Sequence, residues 1–308
     1  MRIRVTVAGV SGALAFSALA MPAAHAADSS THRADAAKVF QAAHAATAAK
    51  AGNSARTADD GEPYDLDITF SNLKVAKAIK VGTTNHVSTT ITYTMKFGAD
   101  VDVLAKDFFT QPYLYKGSFN SPQNMLFGDG TATCSVTSAN TANCKGTIDI
   151  YPQWWLRNAD AGTWRVGAEA AALNGQDITS EDIDWSKVGL ADQGGLGTTL
   201  VQRNSKLTTG AKPKPVKKGK IVTVTGKLSR ANWESGKYSG YSGQVVKLQF
   251  RKKGTTTYKT LKTVKTNSTG SLKSTVKATV DGYYRFSFAG TTTTPAVNAP
   301  GDLVRVKK

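Results

Sequence analysis

The stretch Asp281-Gly282-Tyr283-Tyr284-Arg285-Phe286-Ser287-Phe288-Ala289-Gly290 decides the fold. Tyr284, Phe286 and Phe288 fall on one face of an extended chain, and Arg285 falls on the other. A period of two is that of a strand with one buried face, and Asp281-Gly282 is a turn signal in front of it. The same alternation recurs outward in both directions. Val222, Val224 and Leu228 share a face, with Gly226 in one inward place, as do Val246, Leu248 and Phe250, then Leu272, Val276 and Val280, and finally Val304 and Val306. Turn formers separate these runs at Ser239-Gly240, Lys253-Gly254 and Asn267-Ser268-Thr269-Gly270. Six or seven short strands in about 95 residues predict an antiparallel β-sandwich over 220–308.

Upstream, residues 61–210 have the texture of a second β-rich domain. Thr89–Phe97 alternates with Ile91, Tyr93, Met95 and Phe97 on one face, and Asp65–Phe70 alternates likewise. Further strand candidates are Tyr113–Tyr115, Ala132–Val136, Gly146–Ile150 and Thr163–Ala170, and no window sustains a helical apolar period. The expected fold is therefore all-β, with two consecutive β-rich domains. Between them, residues 211–219 hold Lys212-Pro213-Lys214-Pro215-Val216-Lys217-Lys218-Gly219, which reads as a stiff linker. Trp154, Trp155 and Trp164 are expected to serve the first core, although a Trp pair in a secreted β-protein can also form a sugar-stacking face.

Residues 1–26 read as a signal peptide: Arg2 and Arg4, an apolar run from Val5 to about Ala20, and the small-x-small site Ala24-His25-Ala26. The expected localisation is secreted and extracellular, with no membrane span. Residues 27–60 read as an Ala-rich leader, flexible or helical. Only Val39 and Phe40 are large there, so the leader is expected to bury little. Export makes the two cysteines legible. Cys134 and Cys144 are the only pair, are separated by turn formers and lie between β-prone runs, so they are expected to staple a hairpin with a disulfide. A loop of this size contributes about 2–3 kcal/mol on the chain-entropy account.

Charge is distributed unevenly. Residues 212–308 carry 21 Lys or Arg against Glu234, Asp281 and Asp302, a net of +18, whereas residues 1–211 carry 18 basic and 19 acidic residues, a net of −1. The positions that alternate with the core hold Lys247 and Arg251, Lys273 and Lys277, and Arg285. Lys259, Lys262 and Lys265 are spaced by three, so a bulge is needed to keep all of them outward. These eight residues are the polyanion-binding candidates. Two uses of the charge stand at this point, contact with an anionic polymer and simple solubility.

Catalytic patterns are missing. His32 and His44 lie in the leader and His86 in an Asn-His turn, none in the context of a nucleophile and base. No P-loop, nucleophile elbow or paired-His zinc helix occurs, so no enzyme, no cofactor and no metal is expected. Paired carboxylates stay open, because they assemble in space. The acidic run Asp177, Glu181, Asp182 and Asp184 around Trp185 lacks the alternating-acid loop with a central Gly that holds Ca²⁺, and reads as a solvated loop.

The run Val222-Thr223-Val224-Thr225-Gly226-Lys227-Leu228-Ser229-Arg230-Ala231-Asn232-Trp233, with Leu248-Gln249-Phe250-Arg251-Lys252-Lys253-Gly254 and the stretch from Asp281 to Gly290, resembles the C-terminal module of secreted actinobacterial (streptomycete) proteins of the immunoglobulin-like kind. The likeness covers about 95 residues and extends loosely through Val201–Thr208. It implies an Ig-like sandwich and an extracellular setting, and it brings no catalytic residues. Some relatives are labelled calcium-binding, but no convincing ligand set is found here.

Taken together, a secreted, non-enzymatic binding or structural protein is expected, its basic domain associating with anionic cell-envelope polymers. The alternative is a secreted inhibitor or carbohydrate-binding protein that uses loops and Trp154, Trp155 or Trp185 of the first domain. Nucleic acid is a lesser partner, since only Tyr238, Tyr241 and Trp233 offer stacking rings. N-terminal sequencing of the exported protein is expected to begin at Ala27; an intact Met1 in the medium would contradict the signal.

Overall fold

The computed structural model describes residues 35–42 and 61–308. The expected signal peptide, and the leader apart from 35–42, lie outside the described residues. The chain is all-β. Its first sandwich pairs a six-stranded with a four-stranded sheet. The large sheet runs Tyr64–Asp65, Gly189–Arg203, Gly162–Ala172, Phe108–Gly117, Pro122–Leu126, with Ala78–Val81 parallel to the end of Gly189–Arg203. The small sheet runs Ile68–Lys74, Val87–Phe97, Thr141–Ile150, Thr133–Ser138. Their facing residues alternate as the period-two pattern requires. Ile91, Tyr93, Met95, Ile148 and Ile150 meet Leu114, Trp164, Val166, Ala168 and Ala170.

The hairpin Thr133–Ser138/Thr141–Ile150 places Cys134 directly opposite Cys144, Cα–Cα 4.1 Å, and the two are bonded. One strand was not anticipated. Gly189–Arg203, which contains Gly194, Gly195 and Gly197, is not among the strand candidates read from the sequence. It stays in the sheet because the glycines sit at a register shift between Gln193 and Gly197. Gly195 takes φ +71° there, and Phe119 covers Gly194 so closely that a Cβ would collide with its ring.

The second sandwich begins at Ser205. Ser205–Leu207 and Gly210–Lys212 already pair with the long strand Ile221–Asn232, whose other edge takes Ser271–Lys277 and Lys237–Gly240. The opposing sheet runs Lys259–Lys265, Val245–Lys252, Gly282–Phe288, then Val297–Asn298 and Asp302–Val304. Val216–Lys217 crosses over to lie parallel to Val306–Lys307. This is the Ig-like arrangement, two antiparallel sheets in which Ile221–Asn232 and Ser271–Lys277 belong to one and Val245–Lys252 and Gly282–Phe288 to the other. The Pro/Lys stretch is therefore corrected from a linker between domains to a crossover inside this sandwich. Proline has no N–H for the ladder, so the chain leaves one sheet there and joins the last strand. Val280 is also corrected: the strand ends at Lys277 and Val280 is exposed, while Ala278 fills the core.

Only Asn204 separates the last strand of the first sandwich from the first strand of the second. The two are joined by backbone hydrogen bonds, Arg203 N–H to the Thr293 carbonyl at 3.0 Å and Ala231 N–H to the Asn204 carbonyl at 2.8 Å, and by side chains. Trp233, at the tip of the hairpin that follows Ile221–Asn232, is 1% exposed and belongs to the core cluster of the first sandwich, with Ile79 and Val81. Its indole Nε1 donates to the Val81 carbonyl at 3.4 Å. Arg203 Nε donates to the Ala231 carbonyl at 2.6 Å, and Gln202 Nε2 to that of Thr291 at 2.9 Å.

Residues 35–42 form a helix on the outer face of the large sheet. Ala36, Val39 and Phe40 are buried there, and the Phe40 ring meets Tyr113 edge-on at 5.4 Å. The expectation that this stretch buries little is corrected: Ala36 lets the helix approach closely, so two large side chains suffice to seat it.

Trp233→Ala should remove the plug at a cost of about 3–5 kcal/mol. Denaturant unfolding of the full chain is expected to change from one transition to two. Unchanged unfolding would mean that the sandwiches are held by something else.

Candidate functional site

The strand Thr141–Ile150 is followed by Tyr151 and by Pro152, which opens the one-turn helix Pro152–Trp155. Proline at the first helical position turns the chain off the sheet edge. Leu156 returns to the core, but Trp154 and Trp155 are left outside, 77% and 40% exposed. The expectation that both serve the core is corrected; Trp164 alone of the three does, fully buried and donating from Nε1 to the Asp160 carbonyl at 2.8 Å. Trp185 is half-buried against Val188 and Leu190.

Trp154 is braced on one side. Its ring stacks on Tyr151 at 5.7 Å and 14°, and Tyr151 stacks on His86 at 4.5 Å and 16°. The base of this ladder is a polar network. Tyr151 Oη donates to Asp129 Oδ2 at 2.7 Å, and His86 Nε2 lies 2.9 Å from Asp149 Oδ1. Asp149 Oδ2 accepts from Thr147 Oγ1 at 2.7 Å and from the Asp129 N–H at 2.9 Å. Burial pushes the Asp149 carboxyl up, but the hydrogen bonds from Ser88, Thr147, Asp129 and His86 outweigh it and hold it below the usual range. His86, Asp129 and Asp149 could each offer a ligand atom within 4.8 Å of the others. The lone pairs of Asp149 are already engaged by these donors, so the group reads as the foundation of the ladder.

Beside Trp154 lies an open groove of about 740 Å³, lined among others by Gln123, Asn124, Gln153, Arg157, Asp160 and Glu234. Both sandwiches build it. Glu234 follows the buried Trp233, and Asn158 of the first sandwich donates to its carboxylate from the backbone at 3.0 Å. Asn124 Nδ2 donates to Asp160 Oδ2 at 3.1 Å.

The basic candidates do not share one face. Lys247, Arg251 and Arg285 lie on the outer face of the sheet containing Val245–Lys252 and Gly282–Phe288, with Lys265 beside Val245. Lys273 and Lys277 lie on the outer face of the opposite sheet, paired with Thr225 and Ile221. The expected bulge is there, between Leu248 and Gln249, yet Lys262 lies opposite Leu248 and Lys259 opposite Phe250, on the inward row. The expectation that all three lysines point outward is corrected. Lys259 and Lys262 stay exposed because Lys259–Lys265 is an edge strand. Lys262 Nζ reaches across to the Thr275 carbonyl at 2.5 Å, so five lysines wrap one edge of the sandwich as a belt. Arg251 and Arg285 are engaged elsewhere, stacking on Tyr258 at 5.3 Å and 3.8 Å. Trp233, considered as a stacking ring, is buried, and Tyr238 and Tyr241 are half-buried under Lys206 and Arg230.

One constellation escaped the sequence. Gln111, Glu169 and Asp192 are direct neighbours across three strands, on the outer face of the large sheet beneath helix 35–42. Glu169 is completely buried; Gln111 Nε2 donates to its Oε1 at 2.5 Å, and Oε2 has no hydrogen-bond partner. Tyr113 Oη donates to Asp192 Oδ1 at 2.5 Å. Burial, and then the charge of Asp192, push the Glu169 carboxyl well above the usual range. The signal that could have found it is Glu169 itself, the one charged residue in Gly167-Ala168-Glu169-Ala170-Ala171.

Among the described residues, no helix is long and apolar enough to cross a membrane. No family model matches the chain, and no curated protein matches it in sequence. Solved structures similar to it include the Escherichia coli adhesin FdeC (13% identity, TM-score 0.29, 79% of this chain and 65% of that one). Others are the Yersinia pseudotuberculosis adhesin InvE (10%, 0.26, 77% and 59%) and the ectodomain of mouse nectin-like molecule 4 (11%, 0.22, 79% and 65%). The chain thus spans 59–65% of these three, and likeness at this level carries no argument about function.

Because folded Glu169 holds its proton above the pH at which an unfolded glutamate releases it, about 4.3, stability should decline as pH rises from there. The slope from this group is at most about 1.36 kcal/mol per pH unit. Glu169→Gln should flatten the decline between pH 5 and 8, with the two proteins converging near pH 4. Denaturant titrations at stepped pH measure this, and parallel curves for the two proteins would refute it.

Proposed function

We propose that this chain is a secreted, non-enzymatic binding protein whose lysine-rich sandwich edge associates with anionic cell-envelope polymers. The observation that carries the reading is the belt of Lys259, Lys262, Lys265, Lys273 and Lys277. All five are exposed, and among the described residues none makes an ion pair. Lysines on edge strands also discourage strand-to-strand aggregation, but a mixture of charges would do so equally well. A belt without acids carries self-repulsion that a bound polyanion relieves. Its curvature favours a flexible chain of phosphates that bends around the edge. A straight duplex would touch one face and meet at most part of the belt.

The test uses the full chain, because Trp233 couples the two sandwiches. Cosedimentation with polyphosphate-bearing cell walls should be strong at about 50 mM salt, and log affinity should fall linearly with log salt. The variant Lys259→Gln/Lys262→Gln/Lys273→Gln/Lys277→Gln should bind at least about tenfold more weakly. Its unfolding midpoint should scarcely move, since exposed charges contribute little to stability. Absence of binding at low salt, or equal binding by the variant, would reduce the belt to a solubility device.

A further inference from the structure

We infer that the groove beside Trp154 binds a neutral polysaccharide, with one pyranose ring stacked on the solvent-facing side of the indole. This site is separate from the lysine belt and does not depend on it. An indole 77% exposed is unusual, because so large an apolar surface ordinarily finds a place in a core. A braced one is more informative. Trp154 has one face propped by Tyr151, which His86 props in turn, and the ladder is anchored through Asp149 and Asp129. A ring held in this way loses little conformational freedom when a ligand covers it.

The groove supplies the second half of the recognition. Its volume, about 740 Å³, falls within the roughly 300–1,000 Å³ of ligand sites. Apart from Trp154, Trp155 and Leu156 its lining is polar: Gln123 and Gln153 can both donate and accept, while Asp160 and Glu234 are acceptors held in place by Asn124, Arg157 and Asn158. Sugar hydroxyls, each donor and acceptor, match that set. The charge selects among ligands. Two carboxylates against Arg157 leave the groove with a net negative charge, which repels phosphate or sulfate chains and tolerates neutral ones. A β-linked pyranose with equatorial hydroxyls presents a flat C–H face and a polar rim. An indole flanked by polar side chains is the complement of that shape. Glu234 comes from the hairpin of the second sandwich, so the site is complete only while Trp233 is seated.

Depletion of the full chain from solution by chitin, by cellulose and by an insoluble β-1,3-glucan tests this, at about 500 mM salt to screen the belt. Retention on at least one of the three is expected, with the four-lysine Gln variant retained equally. Trp154→Ala should lose at least about tenfold in affinity while keeping its unfolding midpoint, because the side chain is exposed. Trp154→Tyr, which keeps a flat ring, should retain most of the binding. Failure to bind all three polysaccharides would overturn the inference, as would binding that vanishes at this salt or undiminished binding by Trp154→Ala.

Discussion

The burial of Trp233 in the neighbouring sandwich is the contact on which the rest of the molecule depends. Asn204 is the only residue between the two units, and the few backbone hydrogen bonds that flank it, among them Arg203 N–H to the Thr293 carbonyl, bury little apolar area by themselves. A tryptophan brings a large apolar area, and here it leaves its own sandwich to complete the core around Ile79 and Val81. Its indole N–H finds the Val81 carbonyl, so nothing polar is stranded. The flanking bonds of Arg203, Gln202 and Asn158 are each modest, and they add direction to an attraction that is otherwise non-directional.

That plug also shapes the surface. Glu234 stands in the wall of the groove because Trp233 is fixed one position before it, and Gly236 packs so closely against Gln153 that a side chain there would collide with the amide. The exposed Trp154 and Asp160 therefore come from one sandwich and Glu234 from the other. The lysine belt is made differently, by two consecutive edge strands of the second sandwich alone.

Much of the architecture was legible because period-two alternation survives wherever one face of a sheet is buried. Tyr284, Phe286 and Phe288, or Ile91, Tyr93 and Met95, could be placed inward without coordinates. The disulfide was legible because two cysteines admit one pairing. What could not be read depended on relations between distant segments. Trp154 and Trp164 are the same residue type ten positions apart, yet Pro152 diverts one out of the sheet while the strand Gly162–Ala172 carries the other in. The lysines spaced by three look equivalent in sequence, but strict alternation puts Lys265 and Lys262 on opposite rows, and the bulge beyond Lys262 then returns Lys259 to the inner row. Gln111, Glu169 and Asp192 are scattered along the chain and become neighbours only when three strands pair.

The buried carboxyl group also explains why a short helix can cover a polar stretch of sheet. A charged Glu169, completely buried, would be severely destabilised, but a protonated one, hydrogen-bonded to Gln111, is tolerated. Proton and cover are therefore linked. While residues 35–42 are seated, water is excluded and the proton stays on; if they lift, solvent reaches the carboxyl and ionisation becomes favourable. Each state supports the other, so the helix is held partly by its own apolar contacts and partly by the neutrality of the residue beneath it. The outer face of this sheet is thus covered by a segment that precedes the β-domain in sequence, although with only Val39 and Phe40 as large apolar residues its composition gives little hint of that role.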